Sequence, residues 1–157
     1  MTNAELITHF YQSFAKADAE GMVSCYHDAI QFKDPAFGCL KGEDAKNMWR
    51  MLIGRNKGNI HIVFSNVQAD DKTGSANWTA TYVFSATGRK VINVISAEFE
   101  FANGKIIKHT DTFDLYKWAK QAFGLKGFLL GWTSFMQHKI QEQSGALLKK
   151  YTGKKNG

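Results

Sequence analysis

The 157-residue chain has two cysteines, a single proline and no long apolar run. Cys25 and Cys39 lack the spacing of a metal site, and a chain of this length buries enough core to fold without a disulfide framework. Free thiols are expected, with neither metal nor cofactor. No stretch approaches the length of a membrane span, and the opening MTNAELITHF has no basic segment followed by an apolar one. A cytoplasmic protein without a membrane partner is the expectation. Neither an internal repeat nor a linker interrupts the chain, so one domain over 1–157 is predicted.

The net charge of +6 raises the question of nucleic acid, but Lys149, Lys150, Lys154 and Lys155 fall in the last nine residues. Without them the balance is +2. The segment 149–157 therefore reads as a basic, frayed tail on a nearly balanced body, and no nucleic-acid partner is expected. What the chain has in abundance is apolar and aromatic: 44% hydrophobic residues, with 12 Phe and 4 Trp. That composition fits a folded globule and excludes a disordered one. Aromatics fill cores and also line pockets for apolar ligands, so composition alone does not choose.

Thr2 followed by Glu5 is a capping-box pattern, and Leu6, Ile7, Phe10, Tyr11 and Phe14 then recur at helical spacing. Asp18 can cap a second short helix carrying Met22, Val23 and Tyr26. The chain turns extended at Ile30 and Phe32 before Asp34-Pro35-Ala36-Phe37-Gly38, where proline disfavours helix at Asp34 and Gly38 supports a turn. A third helix, about Asp44 to Ile53, carries Met48, Trp49 and Leu52. From Asn59 the period switches to two, and NIHIVFSNVQ, SANWTATYVFSA, VINVISAEFEFA and KIIKHTDTFD read as an antiparallel meander. Helices before such a meander give the α+β class. DLYKWAKQAF then looks helical, GLKGFLLGW reads as an apolar, glycine-broken loop, and Ser134 opens a last helix striped by Met136, Ile140, Leu147 and Tyr151.

Alternation places Trp78, Ala80, Tyr82 and Phe84 on one face of the second run, and Val91, Asn93, Ile95, Ala97, Phe99 and Phe101 on one face of the third. In the fourth run Ile107, His109, Asp111 and Phe113 share a face. A two-residue turn at Asn103-Gly104 would set His109 and Asp111 beside Glu98 and Glu100. A three-residue loop with Gly104 left-handed would instead set Phe99 opposite Ile107, Ala97 opposite His109 and Ile95 opposite Asp111; this register matches apolar with apolar and is the one expected. If TGRK closes as a two- or four-residue loop, Tyr82 lies opposite Asn93 and Trp78 opposite Ala97. Tyr82, Asn93, His109 and Asp111 then form a polar group on an aromatic inner wall, either as a satisfied core network or as part of a cavity. On the opposite face, Thr79, Thr81, Val83, Ile92, Val94, Ser96 and Thr110 carry no charge. A solvated sheet face usually carries some, so a homodimer through this outer face is predicted.

Three short helices, DPAFG and a meander closing with NGKIIKHTDTFD resemble the nuclear transport factor 2-like superfamily, which includes the ketosteroid isomerases and the SnoaL-like polyketide cyclases. The resemblance spans about Glu5 to Asp114 and rests best on AKADAEGM, DPAFG and FANGKI. It implies a cone-shaped, curved antiparallel sheet wrapped around the N-terminal helices, open at one end and often dimeric, here with extra C-terminal helices. By the same resemblance Asp34 matches the isomerase general base, which moves a proton next to a carbonyl. The two positions that would donate to the enolate oxygen read Phe10 and Ala97, which argues against steroid isomerisation, since losing one such donor costs on the order of 10² to 10³ in rate. SnoaL-like cyclases rely on an aspartate and a histidine, matched here by Asp111 and His109. The Asp-Arg-Asp set of the superfamily's epoxide hydrolases finds no arginine on the inner strand faces.

The expected function is a cofactor-independent enzyme of isomerase, cyclase or hydratase type acting on a compact, largely apolar carbonyl compound. Asp34 or Asp111 is the expected base, though a turn aspartate before proline also explains Asp34; His109 is the partner or acid. Phe10, Phe14, Trp49, Trp78, Tyr82, Asn93 and Phe113 are the expected ligand-binding residues, with Tyr82 and Asn93 orienting the substrate oxygen. The competing expectation is a noncatalytic ligand-binding or dimeric interaction domain.

Overall fold

Helix α1 (Asn3–Ala15) starts at the capping box: Thr2 Oγ1 accepts from Glu5 N at 3.1 Å, and the Glu5 carboxylate accepts from Thr2 N at 2.8 Å. The computed structural model describes residues 1–56 and 59–156, with side chains to Gly153. After α2 (Ala19–Val23), capped by Asp18, come strands β1 (Tyr26–Asp34) and β2 (Gly38–Lys41), then helix α3 (Glu43–Asn56). Strands β3 (His61–Ala69), β4 (Thr73–Phe84), β5 (Arg89–Ala102) and β6 (Lys105–Thr112) follow, and helices α4 (Leu115–Phe123), α5 (Leu125–Leu130) and α6 (Ser134–Asn156) end the chain. No helix among the described residues is long and apolar enough to cross a membrane.

The α+β class stands, and β3 to β6 form the antiparallel meander. The sheet is wider than that meander. Among the described residues it has six strands in the order β2-β1-β6-β5-β4-β3, with β1 parallel to β6 and β2 antiparallel to β1. Tyr26, expected on the second helix, begins β1 instead. Register breaks in the β1/β6, β3/β4 and β5/β6 pairs bend the sheet, and α1 and α3 fill its inner face. There Ile7, Phe10, Tyr11 and Phe14 of α1 and Met48, Trp49 and Met51 of α3 pack on Trp78, Ala80, Ile95, Ala97 and Phe99.

The β5/β6 register corrects the expected one. The turn is the two-residue form, with Asn103 and Gly104 both left-handed (φ 53° and 75°) and Ala102 paired with Lys105. One extra residue in β6 opposite Glu100 and Phe101 then shifts the pairing, so Phe99 faces His109 and Ala97 faces Asp111. The bulge restores by one residue what the short turn would have inverted, and both polar side chains stay on the inner face. In the β4/β5 pair the faces are as expected, but the four-residue loop offsets the register by two: Tyr82 faces Val91, Ala80 faces Asn93 and Trp78 faces Ile95.

GLKGFLLGW is not a loop. Its residues form α5 and the following turn, with Gly127 and Gly131 buried against α4, where a Cβ on Gly127 would collide with the Ala119 carbonyl. The glycines permit close helix packing rather than breaking the chain. In α6, Met136, Ile140 and Leu148 are buried, whereas Leu147 of the expected stripe is 40% exposed. A second apolar cluster joins Val91 of β5 to Leu115, Trp118, Ala119, Met136 and Ile140. Beyond the end of β6, Gln121 of α4 takes over the free side of β5: its Oε1 accepts from Ile92 N at 2.8 Å and its Nε2 donates to Ile92 O at 3.1 Å. Gln141 Nε2 of α6 donates to Pro35 O at 3.1 Å, tying α6 to the DPAFG turn.

Candidate active site

Asp34 ends β1, and its side chain folds back on the turn that Pro35 enforces. Asp34 Oδ1 accepts from Ala36 N at 3.0 Å and from Phe37 N at 2.6 Å, which fixes the carboxyl without a cationic partner among the described residues. Burial pushes its pKa up to about 7, and the negative charge of Asp111 adds to the rise, against the lowering effect of the two backbone bonds.

His109 and Asp111 occupy alternate positions on β6 and so share its inner face. His109 Nε2 lies 2.8 Å from Asp111 Oδ1, and His109 Nδ1 lies 2.7 Å from Tyr26 Oη. Trp49 Nε1 donates to Tyr26 Oη at 2.8 Å, and Trp78 Nε1 donates to Asp111 Oδ1 at 3.3 Å. A neutral His109 with its proton on Nε2 satisfies every member: Trp49 donates to Tyr26, Tyr26 to His109, and His109 to an ionised Asp111. A doubly protonated ring would leave the tyrosine proton without an acceptor among the described residues. The relay therefore points toward Asp111, whose Oδ1 takes both bonds. Oδ2 has no protein partner among the described residues and is open to the cavity.

That cavity, of about 360 Å³, lies between the inner sheet face and helices α3, α4 and α6. Its size falls at the lower end of the roughly 300 to 1,000 Å³ usual for small-molecule sites. Of the residues singled out in the sequence, Asp34, Asp111, Phe14, Trp49, Trp78, Tyr82, Asn93 and Phe113 line it. His109 and Phe10 do not. Both are fully buried in the layer behind, with the Phe10 ring edge-on to His109 at 5.5 Å, because the core between α1 and the sheet closes over them. Tyr82 and Asn93 also stand apart from the His109 network. Tyr82 Oη accepts from Trp118 Nε1 at 2.8 Å, and its own proton has no acceptor among the described residues. The amide of Asn93 has no hydrogen-bond partner among them either. Both groups are free to meet a ligand.

Several residues escaped the sequence reading. Tyr26 escaped because its partner is 83 positions away, across the parallel β1/β6 pairing. Arg55 is exposed on the cavity wall, and its spacing from Met48 and Leu52, at i+7 and i+3, was the available signal. Trp118, Ile140, Gln143 and Ser144 complete the wall from α4 and α6. Among the described residues no cluster of His, Cys, Asp and Glu has the form of a metal site.

Residues 7–109 match the family described as SnoaL-like domain. No curated protein shows a significant match. Bal32a, from a soil-derived mobile gene cassette, is 23% identical with a TM-score of 0.65, over 76% of this chain and 95% of its own. TerC, whose crystals contain polyporic acid, is 16% identical with a TM-score of 0.64, over 76% of this chain and 97% of its own. An LEH-like epoxide hydrolase of M. tuberculosis is 18% identical with a TM-score of 0.58, over 80% of this chain and 90% of its own. At these identities the structural likeness establishes the fold.

Proposed function

Because the chain belongs to the SnoaL-like domain family, we propose that it is a cofactor-independent enzyme of isomerase, cyclase or hydratase type, moving a proton next to the carbonyl of a compact, largely apolar compound. The observation that carries this reading is Asp34. A carboxyl held at about 7 is present as both acid and base at neutral pH, and it lines the cavity together with two free donors. Tyr82 and Asn93 are those donors. They lie on adjacent strands of one wall and stand in for the donors that Phe10 and Ala97 cannot supply. Charge developing on a substrate oxygen would be met by the Tyr82 hydroxyl, polarised by Trp118, and by the Asn93 amide. Asp111 offers a second carboxylate, and His109 acts through it as a positioning residue.

The test needs no knowledge of the product. In D₂O, an enzyme that enolises a bound carbonyl compound exchanges its α-hydrogen for deuterium, which proton NMR detects on a panel of cyclic and aromatic ketones and aldehydes. Exchange that disappears in Asp34→Asn supports the reading. Tight binding of a panel member with no exchange identifies the noncatalytic ligand-binding alternative.

A second copy of the chain covers the outer sheet face. Val83, Ile92 and Val94 are exposed there among threonines and serines, while Glu98, Glu100 and Lys108 lie toward the other end of the same face.

A further inference from the structure

Helix α5 turns its glycines inward and its large side chains outward. Gly127 and Gly131 pack on α4, and Leu125, Phe128, Leu129 and Leu130 face solvent, followed at once by exposed Trp132 and Phe135. Leu125 is 73% exposed, Trp132 65% and Phe135 71%. A lone surface leucine is ordinary, but six large apolar side chains within 125–135 form a contiguous patch.

The charge around the patch identifies what it meets. Residues 114–157 contain eight lysines against Asp114 and Glu142, a net +6 that equals the charge of the whole chain and leaves 1–113 neutral. Three of these lysines rim the patch. Lys126 lies within α5; Lys139 Nζ is 5.4 Å from the Phe135 ring; Lys120 Nζ is 4.5 Å from the Tyr116 ring, whose hydroxyl donates to Phe128 O at 2.9 Å. A second copy docked here would bring two such positive segments together. An anionic lipid surface suits both features: leucine and phenylalanine enter the boundary between headgroups and acyl chains, tryptophan sits at the interface, and lysines meet phosphates.

We propose that α5 and the turn after it form a peripheral docking surface for an anionic phospholipid membrane. The absence of a spanning run, from which the sequence suggests no membrane partner, does not bear on such shallow contact. The inference uses residues outside the catalytic reading and stands or falls independently of it.

Flotation of the purified 157-residue chain tests it, with vesicles of phosphatidylcholine alone and of equal parts phosphatidylcholine and phosphatidylglycerol. The protein is expected to float with the mixed vesicles and not with the neutral ones, with a blue shift in emission that Trp132→Phe removes. The double variant Phe128→Glu with Leu129→Glu is expected to keep its melting temperature and lose binding by at least about tenfold, while Lys120→Gln, Lys126→Gln and Lys139→Gln each cost about fivefold. Absence of flotation with both vesicle types overturns the proposal, as does flotation that the double glutamate variant leaves intact. A lipid-free oligomer that this variant dissociates would also overturn it, by making the patch a contact between copies.

Discussion

Tyr26 Oη and His109 Nδ1 lie 2.7 Å apart across the parallel pairing of β1 with β6. The same hydroxyl accepts from Trp49 Nε1, so it joins α3 to the sheet through one oxygen. Tyr26→Phe strands both the indole N–H and the imidazole nitrogen in a buried layer, and each unsatisfied group costs about 1 to 3 kcal/mol. The variant is expected to melt at lower temperature while keeping ligand affinity, since Tyr26 does not line the cavity. An unchanged denaturation midpoint would remove the relay from the account of stability.

Asp34 gives a pH dependence of definite sign. Its folded pKa, about 7, lies above the ordinary value of 3.8, so the ionised form is the disfavoured one in the folded state. Its contribution to stability is full below pH 4 and is lost as pH rises through 7, a change on the order of 4 kcal/mol. Asp34→Asn keeps the acceptor for Ala36 and Phe37 and removes the titration. The variant is therefore expected to be more stable than the parent at pH 8, with the advantage shrinking toward pH 4, and to lose turnover. Parallel denaturation curves at the two pH values decide it; an equal effect at both contradicts the shifted carboxyl.

Tyr82→Phe removes a donor from the cavity and leaves Trp118 Nε1 without its acceptor. For a substrate found by deuterium exchange, kcat is expected to fall about 10² to 10³-fold with little change in KM, as for loss of a donor to developing charge. A rise in KM alone would assign Tyr82 to ground-state binding.

Tyr11 is fully buried, and its hydroxyl has no protein partner among the described residues. Its ring stacks on Phe64 at 5.4 Å, so Tyr11→Phe keeps the packing and removes the unpaired group. Stabilisation of about 1 kcal/mol or more is expected in urea denaturation. A loss of stability would mean that the hydroxyl is satisfied in solution.

Val94 is 61% exposed at the middle of the outer sheet face. Val94→Lys is expected to convert a dimer to a monomer by light scattering at micromolar concentration. A parent chain that is already monomeric refutes the proposed interface.

The elements that depend on short-range pattern were legible in the sequence: the Thr2–Glu5 cap, the period-two meander and the inner faces of β4, β5 and β6. The pairing of β1 with β6 was not, because the partners are far apart in the chain and no local pattern specifies a parallel neighbour. Both possible turn lengths at Asn103-Gly104 were visible, but the bulge at Ile107 was not, since a bulge changes register without changing composition. In the candidate site, alternation placed Asp111, Tyr82 and Asn93 correctly on the inner wall. Alternation does not separate the layer that touches the cavity from the layer behind, where His109 and Phe10 lie. Gly127 and Gly131 read as chain breakers because glycine marks loops and close helix contacts alike, and only the position of Ala119 distinguishes the two.

Strand β5 outruns β6 at the end nearest Arg89, and a bare edge there would invite a strand from another molecule. The Gln121 side chain occupies that edge as a one-residue imitation strand, offering one donor and one acceptor to Ile92. A chain cut after β6 would thus lose more than a cavity wall. It would expose a templating edge, and insoluble aggregates rather than a smaller folded domain would be the product.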